Sequence, residues 1–333
     1  MKKTPVLLLC SALLALSLAA CGQPAPQEPP SPSPSPAAAE GVDLTILYEA
    51  DDNMINNYSL LAVAPDAPFT DADGVPVDDV YINTEGAAAL VNWLLSDAGR
   101  TAVESYGMED FGEPLFYWKE DAPVPATGWT AAGEADQTIR LSTTTSVNDS
   151  GLLAYLLPQF EALTGYHVEV TSAGTGKAIA NAKSGNADLL LVHSKSQEEA
   201  FVEEGYSYVL PGFDSQRLTF MYNYFVLCGP SADPAGAKDA PSVRDAFAAI
   251  ATGKHPFISR GDQSGTHTKE LSLWPEELGI TADAASVEGY ADWYTYSNAG
   301  MGVCLTMAEE TGGYILSDKA TFLTFRANSG VLS

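Results

Sequence analysis

Three short segments carry the residue types best suited to chemistry in this chain. They are Ser142-Thr143-Thr144-Thr145-Ser146, Ser172-Ala173-Gly174-Thr175-Gly176-Lys177 and Ser259-Arg260-Gly261-Asp262-Gln263-Ser264-Gly265-Thr266. Each closes a strand-like run and opens a helical pattern. A helix start leaves backbone N–H groups without partners, and its dipole favours negative charge. Hydroxyls add neutral donors, glycine admits close backbone approach, and Arg260 adds a fork suited to a bidentate contact with an oxyanion. The chemistry is therefore anion capture, with Thr144, Thr145, Ser146, Thr175, Arg260, Ser264, Gly265 and Thr266 as the candidate donors. Taken singly, a Ser/Thr run before a helix is an N-cap, and Arg260 and Asp262 can pair with each other. Three such turns in one chain favour the ligand reading.

Other chemistries fit poorly. Gly174-Thr175-Gly176-Lys177 departs from the phosphate-loop pattern, with Thr171 in place of the first glycine and Ala178 after the lysine. No Gly-x-Ser-x-Gly elbow surrounds Ser146 or Ser264. The four histidines, His167, His193, His255 and His267, form no HExxH, and no CxxC occurs, so neither catalysis nor a metal or cofactor is expected. His267 reads as a helix-surface or packing residue. The chain has 43 acidic and 16 basic residues and a net charge of −27. That balance argues against nucleic acid and anionic headgroups as partners, and gives no long-range pull on an anion.

The elements that must position the three turns follow from periodicity. From residue 137, strand and helix patterns alternate: Thr138 to Leu141, then the helical spacing of Leu152, Leu153, Leu156, Leu157 and Phe160, then Val168 to Val170. A helix over Lys177 to Ser184, a largely apolar strand over Ala187 to Val192, a helix over Gln197 to Glu204 and a long strand over Phe220 to Leu227 follow. A helix over Pro241 to Thr252 is read as started by its proline, and further helices follow Ser264 and Gly300. This is the grammar of an α/β fold with a mostly parallel sheet. Residues 43–118 hold strands near Leu44 to Tyr48 and Tyr58 to Val63 and helices over Glu85 to Leu95 and around Thr101 to Tyr106. Residues 119–136 read as a linker.

Lys2 and Lys3 precede an apolar run from Val6 to Ala20, too short to span a bilayer with margin. The following Ala19-Ala20-Cys21-Gly22 resembles the bacterial lipobox, which implies cleavage before Cys21, a lipid on its sulfur and an extracytoplasmic, membrane-anchored protein. Pro24 to Ala39 suits an extended tether, so residues 1–20 read as signal peptide and 21–42 as lipidated cysteine and tether. Cys228 and Cys304 remain either a pair or two buried thiols, burial being favoured.

Thr143 to Ser146, Gly174 to Ile179, Arg260 to Glu270, Gly300-Met301-Gly302 with Ala308-Glu309, and Gly313 to Thr321 together resemble the tungstate-binding proteins of TupA type. The resemblance implies a two-lobe, type II periplasmic-binding fold that closes on tungstate, or molybdate, and delivers it to an ABC permease. It also implies that the three turns supply the ligand donors. One departure concerns order: Leu44 to Glu49, Asn57 to Val63, Ala87 to Gly99 and Gly112 to Phe116 resemble the family's C-terminal segment yet stand at the front. The chain thus reads as a circular permutant, with 43–118 the displaced segment (mostly lobe one), 137–222 lobe one, 223–333 lobe two, and Tyr58 to Ala64 and Tyr222 to Gly229 the crossover strands. The rival readings are a phosphate-binding protein, sharing the Arg260 to Thr266 turn, and a degenerate surface protein or enzyme of unrecognised motif. Phosphate keeps a proton at neutral pH and benefits from a carboxylate acceptor. The end of the buried strand offers His193-Ser194 there instead, which favours an unprotonated dianion.

Overall fold

A computed structural model of the chain describes residues 42–49, 51–126, 128–132 and 137–328; the expected signal peptide, Cys21, almost all of the tether and part of the 119–136 stretch lie outside the described residues. Its strands are β1 (Leu44–Tyr48), β2 (Ile55–Ala62), β3 (Tyr117–Trp118), β4 (Thr138–Thr144), β5 (His167–Ala173), β6 (Leu189–Val192), β7 (Leu218–Pro230), β8 (Phe257–Ser259), β9 (Tyr294–Tyr296) and β10 (Ile315–Asp318). Helices Leu152–Thr164, Thr175–Lys183 and Lys195–Glu203 alternate with β4, β5 and β6, as the periodicity predicts. The first of them buries Leu152, Leu153, Leu156, Leu157 and Phe160 along one stripe and stops at Gly165, whose φ of 80° closes a left-handed cap.

The main sheet runs β1-β7-β2-β6-β4-β5, with β3 and β10 also paired to β7. The first half of β7 pairs antiparallel with β2 and β3, and its second half pairs antiparallel with β1 and β10. One strand thus belongs to two packing units. Around β2, β4 and β6, Leu60, Leu189 and Leu191 face a core with Trp93 and Phe160, while Leu61, Leu190 and Val192 face another with Ile179 and Phe201. The two-residue period of a strand buried on both faces produces that split. Beyond residue 224, Phe225 and Leu227 pack with Phe247, Phe257 and Trp274, whereas Val226 and Cys228 pack with Ile258, Leu305 and Ile315. Two lobes result, joined along β2 and β7. Residues near the start of the chain build both: β1 edges the second, and β2 with helix Thr84–Leu94 fills the first.

Two expectations change in detail. Among the described residues, parallel strand pairs are β4 with β5 and β6 and β8 with β9, beside one isolated parallel bridge from Phe257 to Tyr314, because the strands passing between lobes return alongside each other. The helix placed at Pro241 begins at Val243, where the Ser242 hydroxyl accepts the Asp245 N–H at 3.2 Å; the proline precedes the cap. Cys228 and Cys304 are both buried and free, in one core. No helix among the described residues is long and apolar enough to cross a membrane.

Candidate functional site

Strand pairing brings the turns together. β4 and β5 run parallel in register, so that Thr144 lies beside Ala173 and the first two turns emerge at one edge. β6 pairs with β4 through Thr143 and Leu191, which delivers His193 to the same edge. The third turn comes from the other lobe, after β8. It is pinned from behind by Glu270, whose carboxylate accepts from Ser259 Oγ (2.7 Å), Trp274 Nε1 (3.0 Å) and Tyr294 Oη (2.6 Å). Ser259 Oγ in turn accepts the Gly261 N–H at 3.2 Å. Burial pushes the Glu270 carboxyl up to about 7 in spite of these donors.

Arg260 is 2 % exposed. Its Nη2 donates to Thr145 Oγ1 at 2.9 Å and to Asp262 Oδ2 at 2.5 Å, and Nη1 reaches Ser146 Oγ at 3.5 Å. The guanidinium therefore fastens the third turn to the first. The second turn closes the ring: a Cβ built on Gly174 would lie 3.2 Å from the Asp262 carbonyl oxygen and 3.7 Å from Ser264 Cα. Gly265 is equally constrained, since a Cβ there would stand 2.5 Å from His193 Cε1. Any side chain at Gly265 would displace the imidazole.

The eight candidate residues divide by what their side chains do. Thr144 Oγ1 accepts the Val147 N–H at 3.5 Å and Ser264 Oγ accepts the His267 N–H at 3.2 Å, so both cap helices. Thr145, Ser146 and Arg260 are joined as described, and Gly265 packs on His193. Thr175 and Thr266 are buried, yet their hydroxyls have no hydrogen-bond partner among the described residues. The same holds for Arg260 Nε and His193 Nε2. An unpartnered buried polar atom costs on the order of 1–3 kcal/mol. With His267 Nε2 there are five such atoms on the second and third turns and the end of β6, and they mark a place built to hold something polar. A cavity of about 450 Å³, lined by His193, Ser194, Gly265, Thr268 and Lys269 among others, adjoins it.

Sequence reasoning missed a polar chain on the crossover strands. Asn56 and Asn223 are paired in register, and Asn56 Nδ2 donates to Asn223 Oδ1 at 2.9 Å and to Tyr58 Oη at 2.7 Å. Asn223 Nδ2 reaches Asp318 Oδ1 at 3.3 Å, and Asn56 Oδ1 meets His193 Nδ1 at 2.8 Å. Burial raises the Asp318 carboxyl, while Thr321 and Arg260 pull it back. Thr321 Oγ1 touches both Asp318 Oδ2 (2.6 Å) and the Ser146 carbonyl (3.3 Å), tying this chain to the first turn. The available signal was an asparagine near the start of one largely apolar strand, Asn56, and another in the middle of a second, Asn223. His267, read as surface or packing, is fully buried.

Residues 130–333 match the family model described as the PBP superfamily domain. The chain is 44% identical over 200 residues to the tungstate-binding protein TupA of Peptoclostridium acidaminophilum, covering 60% of this chain and 65% of that one. It is 35% identical over 183 residues to the tungstate-binding protein TupA of Campylobacter jejuni, covering 55% and 62%. It thus spans slightly under two thirds of the length of these curated relatives. Against the solved tungstate ABC transporter structure from Geobacter sulfurreducens it is 39% identical, covering 57% of this chain and 76% of that one with a TM-score of 0.48. The relatives are named as binding proteins rather than enzymes. With a family match over more than half its residues and a mixed α/β architecture of two lobes, the chain belongs to the PBP superfamily and has TupA-type binding proteins among its relatives.

Proposed function

We propose that this chain is the solute-binding component of an ABC importer, and that it captures a tetrahedral oxyanion, tungstate or molybdate, between its lobes. The observation that carries the proposal is the buried Arg260 bridging the turns, with its Nε and the Thr175 and Thr266 hydroxyls unpartnered beside it. An arginine kept out of water, among neutral donors from three turns, is the arrangement that an anion would complete. Tungstate itself comes from the relatives' names. Donors from Thr144, Thr145, Ser146, Thr175, Arg260, Ser264, Gly265 and Thr266 would make up the site.

Titration calorimetry of soluble residues 22–333 with tungstate, molybdate, sulfate and phosphate tests this. Tungstate is expected to bind most tightly, and Arg260→Ala to lose at least a hundredfold, about 2.7 kcal/mol. Absence of oxyanion binding by the folded chain would overturn the proposal. Asp262 favours phosphate as the second reading, since a carboxylate on the arginine can accept the proton phosphate retains; preference for phosphate in the same titration would select it.

The lipid on Cys21, holding the protein outside the cytoplasm, belongs to the same proposal, as does circular permutation. In support of the latter, β1 and β10 flank β7 from opposite ends of the sequence and β2 returns to the first lobe. Residues 119–136 would then join what are separate termini elsewhere in the family. Deleting residues 43–118 removes β1, β2 and β3 and should leave an insoluble or ligand-blind chain; a folded, binding-competent 137–333 fragment would sink the idea.

A further inference from the structure

The polar chain on the crossover strands fixes which nitrogen of His193 carries the proton. Asp318 is oriented by two donors from Thr321, the backbone N–H at 2.9 Å and the hydroxyl at 2.6 Å. Asn223 turns its amide nitrogen to Asp318, so its oxygen faces Asn56 Nδ2 and Tyr58 Oη. Asn56 has then used its nitrogen, and the atom it presents to His193 is a carbonyl oxygen. A carbonyl only accepts, so His193 Nδ1 must donate. Neutral His193 is left with a lone pair on Nε2. That nitrogen is buried and unpartnered, on a ring 7 % exposed that lies against Gly265 at the third turn.

His267 provides a contrast. Its Nδ1 accepts the Gln263 N–H at 3.1 Å, so its proton sits on Nε2 and it can only donate there. Of the two buried imidazoles at the turns, only His193 offers an acceptor.

We propose that His193 Nε2 sets the protonation state of the captured anion: an unprotonated dianion is bound together with one proton from solvent, which comes to rest on Nε2, whereas a singly protonated oxyanion brings its own. This deepens the oxyanion reading and rests on it. A bare lone pair facing an anion oxygen repels it in a site shielded from water, while an imidazolium donates a charge-assisted hydrogen bond instead. The neighbours decide when the proton arrives. Burial and then Arg260 disfavour it, holding the ring down at about 3, and Asp262 favours it. From the crossover strands Tyr58 lies tilted beside the ring, and Asp318 acts through Asn223. On the cavity side stand Lys195, Arg217 and Lys269, with Glu199 opposing them. A dianion placed on the Arg260 guanidinium offsets the Arg260 part of that opposition and adds its own attraction for the proton, and the two together must outweigh burial.

The test is calorimetric titration of sodium tungstate into the soluble chain at pH 7.5, in buffers of different ionisation enthalpy, for the wild type and His193→Gln. The wild type should take up one proton per anion, and its affinity should rise about tenfold for each pH unit lowered. His193→Gln, which donates without titrating, should take up none and show a flat profile. Binding without proton uptake in the wild type, or an unchanged pH slope in His193→Gln, would overturn the proposal. Imidazole nitrogen spectra of the protein without anion give an independent check. They should show the Nδ1–H form; an Nε2–H form at His193 refutes the inference whatever binds. If that form is as expected and no oxyanion binds, the capture reading fails and takes the proton coupling with it.

Discussion

Replacing Glu270 by glutamine should uncover a pH dependence of stability that the wild-type chain conceals. The Glu270 carboxyl, ordinarily near 4.5, is pushed up to about 7 by burial. Between those values the folded state holds a proton that the unfolded state has released. Its contribution is therefore complete below pH 4.5 and is lost as pH rises through 7, at about 1.4 kcal/mol per unit and on the order of 3 kcal/mol in all. His193 works in the opposite sense. Its pKa falls from 6.5 to about 3, so the unfolded state binds the proton the folded ring refuses. That contribution is complete above 6.5 and is lost as pH falls toward 3. From pH 4.5 to 6.5 the two slopes offset each other. Glutamine at 270 can keep its oxygen toward Trp274 and Tyr294 and offer its nitrogen to Ser259 Oγ, which has a lone pair to accept it. Urea unfolding followed by tryptophan fluorescence, in half-unit pH steps at constant salt, measures the difference between variant and wild type. Other buried acids such as Asp318 and Glu198 cancel in that difference. It should rise by about 1.4 kcal/mol per unit from pH 4.5 to 7 in favour of Glu270→Gln. A difference that stays flat across the window would refute the assignment of that proton to Glu270.

Other outcomes follow from the same contacts. Gly265→Ala should cost about 1–3 kcal/mol in thermal or chemical unfolding and weaken anion affinity at least tenfold, because its Cβ would stand 2.5 Å from His193 Cε1; wild-type affinity in a well-folded variant would show that the ring is free to move. Asn223→Ala removes the joint between Asp318 and Asn56 and should destabilise by about 1–3 kcal/mol, read as a lowered urea midpoint. Cys228 and Cys304 should resist a thiol reagent in the folded chain and react together on denaturation, burial having raised both thiols; rapid labelling of the native protein would contradict their placement.

Much of the fold was legible because apolar periodicity survives in this sequence. Ala187 to Val192 reads as a strand buried on both faces, and the observed strand Leu189–Val192 alternates between two cores. What periodicity cannot express is strand direction across a chain reversal, and the antiparallel β2–β7 pair was therefore hidden behind a parallel expectation. The three turns stood out by composition, and they do meet. The division among their residues was less visible: Thr144 and Thr145 are neighbours of one type, yet one caps a helix and the other receives Arg260. The Asn56–Asn223–Asp318 chain escaped because its members lie up to 262 positions apart and each is unremarkable alone.

Arg260 has five N–H groups, and its bonds to Thr145 and Ser146 cross from one lobe to the other while leaving Nε free. The residue proposed to grip the anion is therefore also a clasp on the protein itself. Any force that parts the lobes withdraws the guanidinium from the first turn in the same movement, so under the proposed function release would need no separate trigger.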